Sequence, residues 1–221
     1  MAKPLMTTKP VSAVAANAAR LSIASGVLFV LLLLSLHLLE PEFDPTWRFV
    51  SEYALGNFGW MMHLAFLALA ASLASAGVAI FSQIRTWPGY IGLAVLGIGA
   101  IGILLAAIFR TDPATTSREA ATFSGNMHLL GASLDYTPVA ALLLGFSLAR
   151  NQAWWPIRKW LFIATGITWV AMVAFMVVLP YDGKVGPGVL AGFFGRFLIV
   201  SYLGWLLTVA LHALKRYRQA V

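Results

Sequence analysis

Six apolar stretches, each long enough to cross the hydrocarbon core of a bilayer, constrain this chain more than any other feature. A spanning helix needs about 20 such residues, and six segments meet that length: 21–39, 60–81, 91–109, 128–149, 161–179 and 193–214. We therefore predict an all-α fold, a polytopic membrane bundle of six transmembrane helices. The first stretch exceeds the roughly 7–15 apolar residues of a signal peptide, and no small-residue cleavage site follows it. We expect it to be retained.

Composition supports this prediction and excludes several kinds of site. Of the 221 residues, 60% are hydrophobic, and the mean hydropathy of +0.84 is far above that of a soluble domain. The chain contains no cysteine, which excludes disulfides, thiolate metal sites and cysteine nucleophiles. Its basic residues are scattered at the ends of apolar stretches, so we predict no nucleic-acid binding.

The distribution of basic residues predicts the orientation, because cytoplasmic loops are enriched in lysine and arginine. With the N-terminus inside, ten basic residues face the cytoplasm and five face outward (Arg48, Arg110, Arg118, Lys184 and Arg196). Both termini are therefore predicted to be cytoplasmic, with residues 1–20 as an N-terminal segment and 215–221 as a basic tail. The acids favour the same orientation, because seven of the eight fall in outer segments: Glu40, Glu42, Asp44, Glu52, Asp112, Glu119 and Asp182.

Two outer loops carry signals for short helices. Asp44 can cap a helix that begins at Pro45 and ends at Gly56, with its apolar face on the membrane surface. Thr116 and Glu119 have the spacing of a capping box, which predicts a helix over residues 116–122. We expect these segments to form a lid over the outer side of the bundle.

Four ionisable side chains are predicted at a similar depth beneath the outer leaflet: His37, His63, His128 and Arg196. A charge at the bilayer centre costs about 2.5–3.5 kcal/mol on insertion scales, so ionisable groups inside spans are functional candidates. The three histidines, with Asp112 or Asp135, could supply the nitrogen and oxygen ligands of a catalytic zinc. No local metal motif accompanies them, and the sequence assigns neither a metal nor another cofactor.

The eighth acid, Asp135, lies inside the fourth span. It follows His128 by seven residues, so on a continuous helix both side chains project from one face about 10 Å apart. Pro138 cannot donate to the carbonyl of Leu134 and should kink the helix beside this acid. We predict a polar pocket here. The alternative is that Asp135 is protonated, or pairs with Tyr202 or the backbone, for packing alone.

Several short motifs resemble one family of membrane proteins. They are "SEYALGNFGWMMH" before the second span, "FRTDP" after the third, the histidine that opens the fourth and "GFFGRFL" at the start of the sixth. The chain resembles DUF998, bacterial six-helix integral membrane proteins, in its residues Ser51, Tyr53, Gly56, Thr111, Asp112, His128 and Arg196. Arg110 departs from the family pattern, in which proline is usual. The resemblance implies the fold, location in the bacterial inner membrane and a grouping of these polar residues. It implies no reaction.

From these observations we predict one outer site, with Asp112 turning back over the bundle toward His63, His128 or Arg196. We name Asp112, His128, His63 and Glu52 as catalytic candidates, and Arg196, Asp135, Tyr53 and Arg110 as ligand-binding candidates. Three functions stay open. The protein binds or modifies a lipid or lipid-linked group at the outer leaflet, or is a proton-coupled small-solute transporter that uses Asp135, or is a non-catalytic accessory or lipid-sensing protein. Membrane lipids are the expected partners, and the sequence assigns no oligomeric state.

Overall fold

The computed structural model describes residues 11–180 and 183–219, and all regular secondary structure in these ranges is helical. Six helical crossings are long and apolar enough to span a membrane, which confirms the predicted fold class. Asp182, counted above among the outer acids, lies outside the described residues, as do residues 1–10 and 220–221.

Seven α-helices make up the six crossings: α1 Ala13–Leu39, α2 Gly59–Phe81, α3 Trp87–Ile108, α4 Phe123–Ser133, α5 Thr137–Ala149, α6 Arg158–Val178 and α7 Ala191–Arg218. Together α4 and α5 form the fourth crossing. An even number of crossings places the start of α1 and the end of α7 on one face, which we call the termini face. The opposite loop face carries residues 40–58, 109–122 and the connection from α6 to α7.

The crossings form a ring, and α2 and α7 also contact each other across it. Along the chain each crossing packs against the next, and α7 closes the ring by packing against α1 as well as α6. Serine hydroxyls join α1 to α2, since Ser22 Oγ donates to Ser72 O (3.0 Å) and Ser72 Oγ donates to Ser22 O (2.9 Å). Such bonds contribute to helix association because lipid offers a polar group no alternative partner.

Both helices predicted in the loops are shorter than expected. Residues 44–48 form a turn, in which Asp44 accepts hydrogen bonds from the amide and hydroxyl of Thr46 (2.9 and 2.7 Å). Phe49 is extended, and a separate 3-10 helix covers Val50–Leu55 and ends at Gly56 as predicted. Its residues Val50, Glu52, Tyr53 and Ala54 are buried. This segment therefore packs into the bundle, and the prediction of a single helix lying on the membrane surface was wrong.

The second loop contains one 3-10 turn, Arg118–Ala120, where the capping-box spacing predicted a longer helix. The helix cannot extend through Thr122 because this residue has extended backbone angles and caps α4. Its hydroxyl accepts a hydrogen bond from Gly125 N (2.9 Å). The capping function is thus shifted from Thr116 to Thr122.

The fourth crossing is broken where the sequence predicts a kink. Helix α4 ends at Ser133 and α5 begins at Thr137, with Pro138 in its first turn. The amide of Thr137, which in a continuous helix would donate to the carbonyl of Ser133, donates to Asp135 Oδ1 instead (3.1 Å). The proline thus has a larger effect than bending, since it separates the crossing into two helices. The estimate that His128 and Asp135 share one helical face does not hold, because that helix ends between them.

Candidate functional site

Arg196 lies in the second turn of α7 and fastens the first loop to that helix. Its Nη1 donates to three main-chain carbonyls, those of Pro45 (3.1 Å), Arg48 (2.7 Å) and Gly192 (3.0 Å). The amide of Phe193 also donates to Thr46 O (2.9 Å). A Cβ atom at Gly192 would overlap the carbonyls of Pro45 and Arg48, so only glycine allows this approach. The turn 44–48 is therefore held on the start of α7.

The same guanidinium group fixes a histidine of α1. Arg196 Nε donates to His37 Nε2 (2.9 Å), and His37 Nδ1 is 2.6 Å from the carbonyl of Leu33. An arginine N–H can only donate, so Nε2 is the acceptor and the proton of the neutral imidazole is on Nδ1. The ring of Tyr53 packs on His37, with 5.3 Å between ring centroids, and on the guanidinium, 5.6 Å from its Cζ. We call Arg196, His37 and Tyr53 the arginine cluster.

Two adjacent residues, Glu52 and Tyr53, connect the arginine cluster to the buried part of the loops. Both residues are 1% exposed. Burial raises the pKa of Tyr53 above its usual value, so the phenol stays neutral at physiological pH. Glu52 forms an ion pair with Arg48 (2.8 Å) and accepts hydrogen bonds from the amides of Phe49 and Ala114 (3.0 Å each). Because Ala114 belongs to the second loop, Glu52 joins the two loops.

His63 and His128 lie together at the loop-face end of α3, apart from the arginine cluster. His63 Nδ1 is 2.6 Å from Ala107 O, and His128 Nδ1 lies 3.0 Å from Ala106 O and 2.9 Å from Phe109 O. These carbonyls lie at the C-terminal end of α3, where some have no intrahelical donor. The two imidazoles therefore cap a helix end, each through a Nδ1–H that donates to carbonyl oxygen.

Asp112 does not turn back over the bundle, contrary to the prediction. Its carboxylate accepts hydrogen bonds from the amide and hydroxyl of Thr122 (2.8 and 2.9 Å) and packs against Gly125 in the first turn of α4. A carboxylate is stabilised there by the unpaired N–H groups and the dipole of the helix. Arg110 is exposed and donates to Leu55 O (3.0 Å), while its own carbonyl accepts from Ser124.

The loop-face candidates thus form no single site. The arginine cluster and Glu52 lie where the first loop meets α1 and α7, whereas His63, His128 and Asp112 surround the junction of α3 with α4. Within residues 11–180 and 183–219, no three histidine, cysteine, aspartate or glutamate side chains are grouped closely enough to hold a metal ion. The predicted zinc ligands are therefore not brought together among these residues.

Asp135, in contrast, stands in the break between α4 and α5. It lies half-way along the fourth crossing, Phe123–Ala149. Its Oδ1 accepts hydrogen bonds from the amide (3.1 Å) and the hydroxyl (2.5 Å) of Thr137. Its carboxylate faces Gly99 of α3, where a Cβ would stand 3.4 Å from Oδ1. A methyl group at this position would make only ordinary van der Waals contact with the acid, so Gly99 lies against the carboxylate without being required there.

Among residues 11–180 and 183–219, no cationic side chain forms an ion pair with Asp135, whereas Arg48 pairs with Glu52. The titratable group that faces Asp135 is the hydroxyl of Tyr202 on α7, a residue 1% exposed. This buried hydroxyl has no hydrogen-bond partner of good geometry among the described residues. Asp135 is thus an acid inside the bundle with hydroxyl neighbours and no opposite charge.

Sequence reasoning missed several residues of this arrangement. Thr137 binds Asp135, and Gly99 lies against its carboxylate. The order Asp-Tyr-Thr-Pro was an available signal, since an aspartate shortly before a proline is typical of a helix start. Glu40 was also missed as a buried group: it is 1% exposed, and its carboxylate accepts from Phe58 N (2.6 Å). The packing of its carboxylate against Gly56 had no signal in the sequence.

Comparison with known proteins identifies the family and nothing finer. No curated protein and no solved structure matches the chain. A family model described as "Protein of unknown function (DUF998)" matches residues 23–212, from the first crossing to the last. That range includes the arginine cluster and the break at Asp135. The chain is therefore a multi-pass membrane protein that belongs to the DUF998 family.

Proposed function

We propose that this protein is a proton-coupled transporter in which Asp135 alternately binds and releases the coupling proton. The observation that carries the proposal is the acid in the helix break, half-way across the membrane and without a counter-charge. Acids in discontinuous helices near the midplane are typical of transport sites. A bacterial inner membrane, expected from the family resemblance, would provide the proton gradient.

The surroundings of Asp135 support both protonation states. An unpaired carboxylate in a low-dielectric interior is unfavourable, which favours the protonated acid. The ionised form is stabilised by the amide and hydroxyl of Thr137 and by the N-terminal dipole of α5. Tyr202 can donate to the carboxylate or accept from the acid, since a hydroxyl does either. These opposing contributions suit a group that exchanges protons.

The contacts of the loop-face residues support a structural role, in which they hold the loops to the helices and to each other. Arg196 uses Nε and Nη1 on protein partners and leaves only Nη2 without one, while both carboxylate oxygens of Glu52 and of Asp112 accept hydrogen bonds from the protein. Catalytic or lipid-binding use of these groups would require breaking those bonds. Catalysis at Asp112, His128, His63 and Glu52 therefore stays a prediction from sequence, and the geometry favours transport at Asp135.

Alternating access can be tested without a known substrate, because the natural chain contains no cysteine. Thr137→Cys places one thiol beside Asp135, at a position that is 0% exposed in the structure. The variant would be labelled with a charged, membrane-impermeant thiol reagent in right-side-out and in inside-out vesicles. We expect labelling from both faces, with a ratio of rates that changes between acidic and alkaline pH and becomes constant in Asp135→Asn.

Thr168→Cys is the matched control, since Thr168 is also 0% exposed but donates within its own helix to Ala164 O. It should not be labelled from either face. Labelling of Thr137→Cys from one face only, or from neither, at every pH would exclude alternating access. If Thr137→Cys does not fold, Tyr202→Cys, at a position that is 1% exposed and faces Asp135 from α7, provides the same readout.

A further inference from the structure

The loop-face half of the bundle is open sideways between α4 and α6. Helix α5 packs against α3, α6 and α7, whereas the main contacts of α4 in the described structure are with α3 alone. A backbone contact explains this, because Gly131 and Gly102 meet so closely that a Cβ on either would overlap the carbonyl of the other. The loop-face half of the fourth crossing, from the start of α4 to the first turn of α5, therefore packs against α3 and stands apart from α6.

One face of α6 shows where this opening lies. Phe162 stacks on Phe146 of α5, with 5.5 Å between ring centroids. Trp169 is two turns further along and shares this face. Toward the loop face the same side of α6 carries a shallow, open cavity of about 410 Å³, lined by α6 residues alone: Trp169, Val170, Val173, Ala174 and Val177. Helix α6 thus presents to the opening an apolar wall with an indole at its deep end.

The indole lies level with the acid. Trp205 Nε1 donates to Thr165 Oγ1 (3.1 Å), which sets the register of the antiparallel helices α6 and α7. Three residues back along α7 is Tyr202, and the matching position on α6 is Thr168, the neighbour of Trp169. Tyr202 faces Asp135. Two buried donors at this level, Tyr202 Oη and Trp169 Nε1, have no hydrogen-bond partner of good geometry among the described residues.

We infer that this opening admits a lipophilic organic cation from the membrane, which binds the Asp135 carboxylate through its charge and the α6 wall through its apolar body. The inference rests on the proposed function and names the substrate class of that site. Binding replaces the proton: the carboxylic acid releases H⁺ as the cation arrives, and the carboxylate then pairs with the cation. Protonation from the opposite face releases it.

The charge of Asp135 and the apolar surface of α6 favour a lipophilic cation over an anion or a hydrophilic solute. An anion would be repelled by Asp135, which has no compensating cation in the described structure. A hydrophilic solute would lose its hydration against Val170, Val173 and Val177 without hydrogen bonds in return. A cation with aromatic or alkyl groups avoids both penalties, and the π face of Trp169 adds a cation–π contact.

Few groups near this position other than Asp135 can release a proton when the cation binds. From α7 the titratable group that faces Asp135 is Tyr202, and from α5 the neighbour is the non-titrating Thr137. From α3 the neighbour is Gly99, against which Leu73 of α2 also packs. A proton released on cation binding is therefore expected to come from Asp135.

Calorimetric titration of the detergent-purified protein with tetraphenylphosphonium tests the inference. We expect saturable binding that tightens as pH rises, with proton release shown by titration in two buffers of different ionisation enthalpy. Asp135→Asn should weaken binding by more than about tenfold, the effect of losing one charge pair in a poorly solvated site. Val173→Trp, which fills the cavity and leaves Asp135 intact, should also weaken it. Asp112→Asn, at the cap of α4, should not.

The outcomes separate this inference from the proposed function. If Thr137→Cys shows alternating access but tetraphenylphosphonium does not bind, the substrate class is wrong and transport stands. Binding that is unchanged in Asp135→Asn also overturns the inference. Binding that requires Asp135, in a protein whose Thr137→Cys variant is not labelled from both faces, supports the cation site and removes the transport function.

Discussion

The loop face and the helix break use charged side chains in opposite ways. At the loop face Arg196 donates to three carbonyls and a histidine, and Glu52 accepts from an arginine and two amides. In the break, Asp135 is bound by Thr137 and faces Tyr202, with no cation. The difference indicates that charges near the membrane boundary stabilise the bundle, whereas the one at mid-span is left able to change its protonation state.

Replacing Arg196 should produce the largest loss of stability. Arg196→Met keeps much of the side-chain volume but removes the donors to His37 Nε2 and to three carbonyls. Hydrogen bonds to a charged group contribute about 1.5–3 kcal/mol each, so we expect a loss of roughly 3 kcal/mol or more. Thermal unfolding in detergent micelles measures it, with Arg110→Met as the exposed control. A loss no larger than that of the control would contradict the fastening role.

Asp112→Ala should destabilise the protein less. It removes the acceptors for Thr122 at the start of α4, and loss of an N-terminal capping group costs about 1 kcal/mol. Asp112→Asn retains an oxygen acceptor and should recover part of this loss. Reversible unfolding in detergent mixtures reports the free energies. A change in proton-dependent labelling of Thr137→Cys, with unchanged stability, would instead indicate that Asp112 belongs to the transport site.

Asp135→Asn should leave stability within about 0.5 kcal/mol of the natural protein, the range of substitutions that break no essential contact. The amide oxygen can still accept from Thr137, and no ion pair is lost. The same unfolding measurement used for Arg196 provides the comparison. A loss as large as that of Arg196→Met would mean that Asp135 is structural, and the contrast between the two regions would disappear.

The smallest effect is expected at Asp44, and it depends on pH. Hydrogen bonds from the backbone and side chain of Thr46 lower the pKa of Asp44 below its usual value. A lowered folded-state pKa stabilises the fold above the unfolded pKa, and this contribution is lost as pH falls through the folded pKa. The melting difference between the natural protein and Asp44→Ala should therefore be present at neutral pH and vanish in acid. A difference that persists in acid would exclude this ionic contribution.

Which part of the site was predictable depended on whether the partners were local in sequence. Asp135, Thr137 and Pro138 are near neighbours, so the break was accessible to helix rules, although a kink was expected instead of two helices. Arg196 and Glu52 were named as polar candidates, but their partners come from other loops and from main-chain atoms. Sequence spacing does not locate such atoms.

The sequence by itself determined the number of crossings, the family and the position of the break. Apolar length and proline chemistry are local properties, and they decide these features before any helix packs. Tertiary structure alone decided how the polar residues divide. The carbonyls that hold Arg196 become neighbours only when the turn 44–48 closes on Gly192, and Asp112 reaches Thr122 only through the fold of the second loop. Contact between distant main-chain atoms depends on the complete packing of the bundle, which no local pattern encodes.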